Sequence, residues 1–569
     1  MLKGTAASPG YAIGKALVLR NEAIKIEKET VANVEEEKER FSSALKKSKE
    51  EIIKIREKAL VNLGESKAAI FDAHLMILED PELIKTIHQK IENNYNATFA
   101  LKETADEFIA IFEGMDNEYM KERAADIRDV TDRILRNLTG QKATDLSLLD
   151  EEVIIVAHDL TPSETATMDK DKILGFITNI GGRTSHTAIM ARTLEIPAVV
   201  GLNNATSVIN DGDFIILDGE TGKIDINPSQ DQIEEYKRLK DAYEKERKDL
   251  EAMRGKASIT KDGRQVELGG NIGTPEDING LLRNDAEGVG LFRTEFLYMN
   301  RNTMPTEEEQ FSAYKKVLEA MNPKPVVIRT LDIGGDKNLP YLKIDEEMNP
   351  FLGYRAIRLC LKENKIFKDQ LRAMLRASIY GNLKIMFPMI SNLKELLEAK
   401  KVLQEVMEEL NQEGIRFSDD IEVGIMIEVP SAAIISDMLA KHVDFFSIGT
   451  NDLIQYTCAV DRMNEKIHDL YQPFHPAVLR LIQMVIENGH KEGIWVGMCG
   501  ESAGDQRLIP IFLGMGLDEF SMSPISILPA RKLISSLSYE EWKKHAENML
   551  SLSTSEEIIE YVDRLKLNA

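Results

Sequence analysis

A chain of 569 residues, 43 % hydrophobic and 29 % charged, is long enough for two or more soluble domains with cores of their own. Its formal net charge of −24 argues against nucleic acid or an anionic membrane surface as a partner, and suits a partner with a basic face. No apolar run approaches membrane-spanning length and no secretory segment follows Met1. Cys360, Cys458 and Cys499 are too scattered for a disulfide framework or zinc knuckle, so a cytoplasmic protein without membrane insertion is expected.

From Leu2 to about Leu19 the chain reads as glycine-punctuated strands, with a turn at Ser8-Pro9-Gly10. Between about Ile24 and Leu138 the pattern is helical. Val34, Phe41, Leu45, Ile52, Ile55 and Ala59 form one apolar stripe if Lys38 and Ser48 count as interruptions, and the helix ends near Gly64. Asp80-Pro81 breaks a second helical stretch and starts a third. An antiparallel helical bundle follows from this pattern. β-rich runs then return at 153–156, 175–178, 198–201 and 214–218, alternating with helical segments as in an α/β domain. The bundle is thus an insertion between the first strands of that domain and the remainder.

Within the α/β part lies Gly181-Gly182-Arg183-Thr184-Ser185-His186-Thr187-Ala188-Ile189-Met190-Ala191-Arg192. A helical stretch begins at the histidine, where free N–H groups and the helix dipole favour an anion. The glycines allow close approach of the backbone, and Thr184, Ser185 and Thr187 offer neutral hydrogen bonds around the ring. No carboxylate lies within the run. His186 is therefore a candidate nucleophile toward a phosphoryl group.

Ser229 and Gln232 have capping-box spacing ahead of a charged helix from Gln230 to Arg254, closed by Gly255 and about 40 Å long. It reads as a linker between two halves. Beyond it come eight β-rich runs, at 266–268, 288–291, 326–328, 383–386, 424–427, 445–448, 495–498 and 519–522, mostly separated by helical patterns. Eight such units indicate a (β/α)8 barrel, whose active-site end follows the strand C-termini.

Those ends deliver Arg293 and Glu295, then Arg329 and Asp332 within Arg329-Thr330-Leu331-Asp332-Ile333-Gly334-Gly335-Asp336-Lys337. They also deliver Glu428, then Gly449-Thr450-Asn451-Asp452 with Arg462 further on, and Cys499; Arg355 lies between two strands. Guanidinium groups grip phosphate and carboxylate oxygens in pairs. Glu428 and Asp452 supply hard oxygens for Mg²⁺, and Asn451 can bond a phosphate without adding charge. A substrate carrying phosphate and carboxylate around a divalent ion fits this set. Cys499 suits a general acid toward an enolate carbon, whereas Cys360 and Cys458 are read as packing residues.

The histidine run resembles the phosphohistidine motif shared by enzyme I of the phosphoenolpyruvate-dependent sugar phosphotransferase system, phosphoenolpyruvate synthase and pyruvate phosphate dikinase. The barrel motifs, in order and spacing, resemble enzyme I over nearly the whole chain. That resemblance implies that His186 is phosphorylated and that Arg293, Arg329, Arg355, Asn451 and Arg462 bind phosphoenolpyruvate. It likewise implies that Glu428 and Asp452 hold Mg²⁺ and that Cys499 is the proton donor. The architecture it implies is a swivelling phosphohistidine α/β domain (1–22 and 144–228), an inserted helical carrier-docking domain (23–143), a linker helix (229–256) and a barrel for phosphoenolpyruvate binding and dimerisation (257–569). The carrier protein HPr is the implied partner, and a homodimer the implied assembly. Synthase or dikinase relatives carry an ATP-binding region for which the helical insertion leaves no room. A non-catalytic phosphoenolpyruvate sensor is a further reading, which detectable turnover to pyruvate with a carrier present would exclude.

Overall fold

The computed structural model describes residues 2–567 apart from 20–25, 64, 115–117, 142–145, 147–148, 150, 162–163, 165–167, 169–171, 183–184, 300, 335–338, 340 and 343–346. The chain divides into two compact units, Met1–Arg247 and Lys248–Ala569. No helix among the described residues is long and apolar enough to cross a membrane.

In the first unit, β1 (Leu2–Lys3), β2 (Thr5–Ser8) and β3 (Tyr11–Val18) precede five helices, Val34–Leu63, Glu65–Leu78, Pro81–Glu92, Ala97–Glu113 and Glu118–Thr139. β4 (Val153–Ala157), β5 (Ile173–Thr178), β6 (Ala198–Val200), β7 (Phe214–Asp218) and β8 (Lys223–Ile226) complete a mixed sheet of order β1-β8-β7-β3-β4-β5-β6-β2. β3 pairs in parallel with β4 across the whole helical insertion. β4 is buried at every residue because both faces are covered. Val153, Ile155 and Ala157 enter the core on one side of the sheet, and Ile154 and Val156 the core on the other. β8 escapes the sequence pattern, since Lys223 and Asp225 alternate with only two apolar residues.

The helical bundle closes around Phe41, Ile52, Ala59, Phe71, Ile87 and Ile134. Ser48, expected to interrupt the stripe, is itself buried: its hydroxyl donates to Ala44 O and accepts from Asn137 Nδ2 at 2.9 Å. Asp80 starts the third helix by accepting from the Glu82 and Leu83 amides, each at 2.9 Å, with Pro81 in the first turn.

The linker helix runs from Gln230 to Glu251, shorter than expected, with none of its residues buried. At 1.5 Å per residue it spans about 33 Å. Ser229 and Gln232 bond reciprocally at its start, and Gly255 takes φ +70° beyond its end.

All eight strands expected in the second half form. β9 (Glu267–Ile272), β10 (Gly288–Arg293), β11 (Pro325–Arg329), β12 (Asn382–Phe387), β13 (Glu422–Ile427), β14 (Phe445–Ile448), β15 (Trp495–Met498) and β16 (Glu519–Met522) pair in parallel and close into a barrel. β9 extends past its expected end because Gly269-Gly270 hides the strand pattern. Leu291, Val327, Met386, Met426, Phe445 and Cys499 pack inside the barrel.

Two carboxyls sit side by side at the lower end of these strands, where Glu519 of β16 is in register with Glu267 of β9. Burial pushes Glu267 up to about 7, Lys384 opposing and Glu287 and Glu422 adding to the rise. Burial and Glu267 hold Glu519 well above the carboxylate range. A raised folded-state pKa means that the folded protein binds extra protons, so the contribution of Glu267 to stability falls as pH rises from the unfolded value toward about 7 and then levels off. Glu267→Gln is expected to flatten that decline and to stabilise the barrel at pH 8 by at most about 3 kcal/mol. The two tryptophans, Trp495 and Trp542, both lie in the barrel unit, so urea unfolding followed by their fluorescence at pH 5 and pH 8 reads this effect. Equal midpoint shifts at the two pH values would contradict it.

Candidate active site

His186 is the first residue of the helix His186–Leu194. Ser185 caps that helix, its hydroxyl accepting from the Ala188 amide at 3.3 Å. Thr187 is buried, with its hydroxyl 3.1 Å from Asp159 Oδ1 and 3.3 Å from Leu160 O. These two hydroxyls, expected around the imidazole, therefore build the helix start and tie it to the loop after β4. A carboxylate, that of Asp159, does reach the run, from a segment 28 residues away in sequence. The side chain of His186, and Arg183 and Thr184 entirely, lie outside the described residues.

In the second unit, the eight residues singled out from the barrel sequence line one cavity of about 610 Å³ at the C-terminal ends of the strands. They are Arg293, Arg329, Arg355, Glu428, Asn451, Asp452, Arg462 and Cys499. Strand ends place Arg293 and Arg329, while Glu428 directly follows β13 and Cys499 directly follows β15. Asn451 and Asp452 open the helix Thr450–Cys458. Of the Gly335-Asp336-Lys337 run nothing can be placed, as it lies outside the described residues.

Arg329 and Arg355 are buried and held by acids. Arg329 Nη2 donates to Glu295 Oε1 at 2.8 Å, and its Nη1 lies 3.0 Å from Asp332 Oδ2. Arg355 Nη2 donates to Asp332 Oδ1 at 2.7 Å, with Asp452 Oδ2 at 3.5 Å. Burial opposes both guanidinium charges. Glu295, Asp332 and Glu428 outweigh it for Arg329; Asp332 and Asp452 do so for Arg355. Asp332 thus bridges two arginines and fixes their forks before any substrate arrives. Gly334 makes this packing feasible: at φ +112° it has no Cβ to collide with Arg355.

Arg293 is more exposed and stacks over Phe296 at 5.0 Å. Arg462 is half-buried, with Nη1 3.7 Å from Asp452 Oδ1. Asn451 Nδ2 donates to Glu501 Oε1 at 3.2 Å, and its Oδ1 accepts from the Glu501 amide at 3.1 Å. Its second N–H remains for an anion in the cavity.

Glu428 is buried, and its Oε1 accepts from the Met389 amide at 2.6 Å. Burial, then Asp452 and Asp332, push it up to about 8. Asp452 is also buried, and its Oδ1 has no hydrogen-bond partner among the described residues. Two crowded carboxylates with an unsatisfied oxygen fit a hard divalent cation such as Mg²⁺, which needs only one or two protein carboxylates. Among the described residues no cluster of three His, Cys, Asp or Glu is poised for a metal, so water and substrate oxygens would complete the shell.

The Cys499 thiol is 4 % exposed and pushed up to about 12 by burial, with the Ser447 hydroxyl opposing the rise. It keeps its proton at neutral pH, as an acid facing a carbon must. Cys360 and Cys458 do not line the cavity.

Asn271, in β9, was passed over in the sequence. It lines the cavity, donates to Cys499 O at 3.0 Å and accepts from the Ser521 hydroxyl at 2.6 Å. Its one signal is a lone amide near a strand's C-terminal end. Glu501 and Phe296 carry no sequence signal beyond proximity to residues already named.

Comparison with known proteins gives a consistent picture. Residues 3–123 match the model described as PEP-utilising enzyme, N-terminal; residues 149–222 match the mobile domain and 247–539 the PEP-binding domain of the same enzymes. A phosphoenolpyruvate-protein phosphotransferase of Bacillus subtilis (strain 168) is 58 % identical over 562 residues, 99 % of each chain. That of Staphylococcus carnosus (strain TM300) is 56 % identical over 569 residues, covering 100 % of this chain and 99 % of its own. A solution structure of an enzyme I protein aligns at 51 % identity with 43 % of this chain and 100 % of its own, at a TM-score of 0.39. With identity above half along its full length and all three segments matched in order, the chain belongs to the phosphoenolpyruvate-protein phosphotransferase family of PEP-utilising enzymes.

Proposed function

We propose that this protein transfers the phosphoryl group of phosphoenolpyruvate to His186 and then to the histidine of a carrier protein of the HPr type, releasing pyruvate, as the first step of a sugar phosphotransferase system. The observation that carries this reading is one cavity lined by four arginines, six acidic residues that include the crowded Glu428 and Asp452, and a protonated thiol, in a chain that also starts a helix at His186.

Arg293, Arg329, Arg355 and Arg462 grip the phosphate and carboxylate of the substrate, with Asn451 donating one further hydrogen bond. Glu428 and Asp452 would hold Mg²⁺, which offsets charge on the transferring phosphoryl group. The His186 imidazole attacks phosphorus as the P–O bond to enolpyruvate breaks. The Cys499 thiol then gives its proton to the methylene carbon, completing pyruvate. His186 and the cavity belong to different units, so each cycle requires the histidine to visit the cavity and then the carrier.

In this reading residues 1–22 and 144–228 form the phosphohistidine domain and 23–143 dock the carrier. Residues 229–256 link the halves, and 257–569 bind substrate and pair the chain into a homodimer. The setting is the cytoplasm.

Metal removal tests the site directly. Pyruvate formation from phosphoenolpyruvate and HPr is expected to disappear with a chelator and return on adding Mg²⁺. Turnover unchanged by chelation would overturn the assignment of Glu428 and Asp452.

A further inference from the structure

Beneath the cavity the barrel interior holds a carboxyl group where such barrels carry branched apolar side chains. Glu519 is 5 % exposed, and its Oε1 has no hydrogen-bond partner among the described residues. Three glycines, Gly269, Gly290 and Gly497, make room for it: a Cβ on any of them would run into a Glu519 carboxyl oxygen. A buried, partly unpartnered acid costs stability that a leucine in its place would not, so its presence calls for a use.

The strand register shows where it leads. Ser447 of β14, Gly497 of β15, Glu519 of β16 and Glu267 of β9 lie on one rung of the barrel. Glu519 Oε2 fills the place of the missing Gly497 side chain, on the strand next to that of Ser447. The Ser447 hydroxyl, 2 % exposed, has no hydrogen-bond partner among the described residues; it lies near the Cys499 thiol, which donates to Ile448 O at 3.9 Å. Cys499 stands two residues beyond Gly497 and so faces the same interior. On the other side, Glu267 lines an open cavity of about 560 Å³ with Gln265, Glu287, Lys324 and Asp518, at the opposite end of the strands from the active site.

We propose that Glu519 and Ser447 form an internal proton relay that recharges Cys499 after each turnover, fed from the Glu267 cavity at the far end of the barrel. The relay rests on Cys499 being the proton donor of the reaction above. When the Cys499 S–H bond breaks and a C–H bond forms on enolpyruvate, a thiolate remains. Ser447 gives its hydroxyl proton to that sulfur and takes the carboxyl proton of Glu519. Glu519 regains a proton from Glu267, and Glu267 from water in the lower cavity. The net result is one proton moved from solvent to the methylene carbon, with nothing oxidised or reduced. Lys384 faces both glutamates, Glu287 and Glu422 face Glu267, and Arg329 and Glu428 face the thiol.

A relay that only recharges the thiol leaves the first turnover intact. Rapid-quench pyruvate formation with Mg²⁺ and excess HPr separates the first equivalent from later ones. Glu519→Gln and Ser447→Ala are expected to form the first equivalent at the wild-type rate and then to turn over at least about tenfold more slowly. Ser447→Thr, which keeps the hydroxyl, is expected to keep later turnovers. Wild-type steady-state rates in both variants, or equal slowing of first and later equivalents, would overturn the relay. A Cys499→Ala variant run alongside keeps the two ideas apart. If it forms pyruvate normally, the donor assignment fails and the relay fails with it; if it is slow while Glu519→Gln is normal, only the relay fails.

Discussion

Cys499→Ala is expected to form pyruvate about 10²–10⁴-fold more slowly than the wild-type protein, the usual contribution of a positioned general acid. The expectation follows from burial. At 4 % exposure the thiol rises to about 12, so it enters the reaction protonated at any physiological pH, and the Asn271 amide fixes its backbone carbonyl at 3.0 Å. Because the thiol titrates so high, its protonation imposes no loss of rate between pH 6 and pH 9; a fall there traces to other groups. Cys499→Ser is expected to be nearly as slow as the alanine variant, since a hydroxyl is a far weaker acid. Cys458→Ala, outside the cavity, is expected to behave as wild type. The rates are read by coupling pyruvate to lactate dehydrogenase. Near-normal turnover in both Cys499 variants would remove the thiol from the mechanism.

The second large effect concerns Arg329. Its fork is fixed by Glu295 at 2.8 Å and Asp332 at 3.0 Å, and Asp332 holds Arg355 as well. Arg329→Lys keeps the charge but has no planar fork. It is expected to lower kcat/KM by about 10²–10³-fold, the typical cost of one preorganised donor to a developing anion. Arg329→Ala is expected in addition to destabilise the barrel by about 3–5 kcal/mol, because buried Glu295 loses its nearest counter-charge and Asp332 is left with Arg355. Adding Glu295→Gln to Arg329→Ala is expected to recover part of the stability and none of the activity. Steady-state kinetics and tryptophan-monitored unfolding read the two effects separately. A fully active Arg329→Lys protein would show that the pair is structural only.

Much of this site is legible in sequence because barrel geometry converts strand ends into one surface. Arg293, Arg329, Glu428 and Cys499 follow strands that the pattern marks plainly, so placing the strands places the side chains. What escapes is contact between distant segments. Nothing in the neighbourhood of Asp332 reveals that it joins Arg329 to Arg355, nor does the histidine run reveal that Asp159 will bond to Thr187. The hydroxyls beside His186 read as ligands for the ring when seen in one dimension. In three dimensions Ser185 is spent on a helix cap and Thr187 on the loop after β4. Glu519 is the clearest case. Its run resembles any short barrel strand, and only the register with Gly497 and Glu267 exposes a buried acid housed by glycines.

The central claim is that His186 takes phosphate from phosphoenolpyruvate. The direct measurement adds ³²P-labelled phosphoenolpyruvate and Mg²⁺ to the purified full-length protein, beside a His186→Ala variant, a chelated sample and labelled ATP. Acid-labile, base-stable label from phosphoenolpyruvate alone, absent from the variant and the chelated sample, is the predicted result. Label from ATP would move the protein to the dikinase branch, and no label from either would contradict the account.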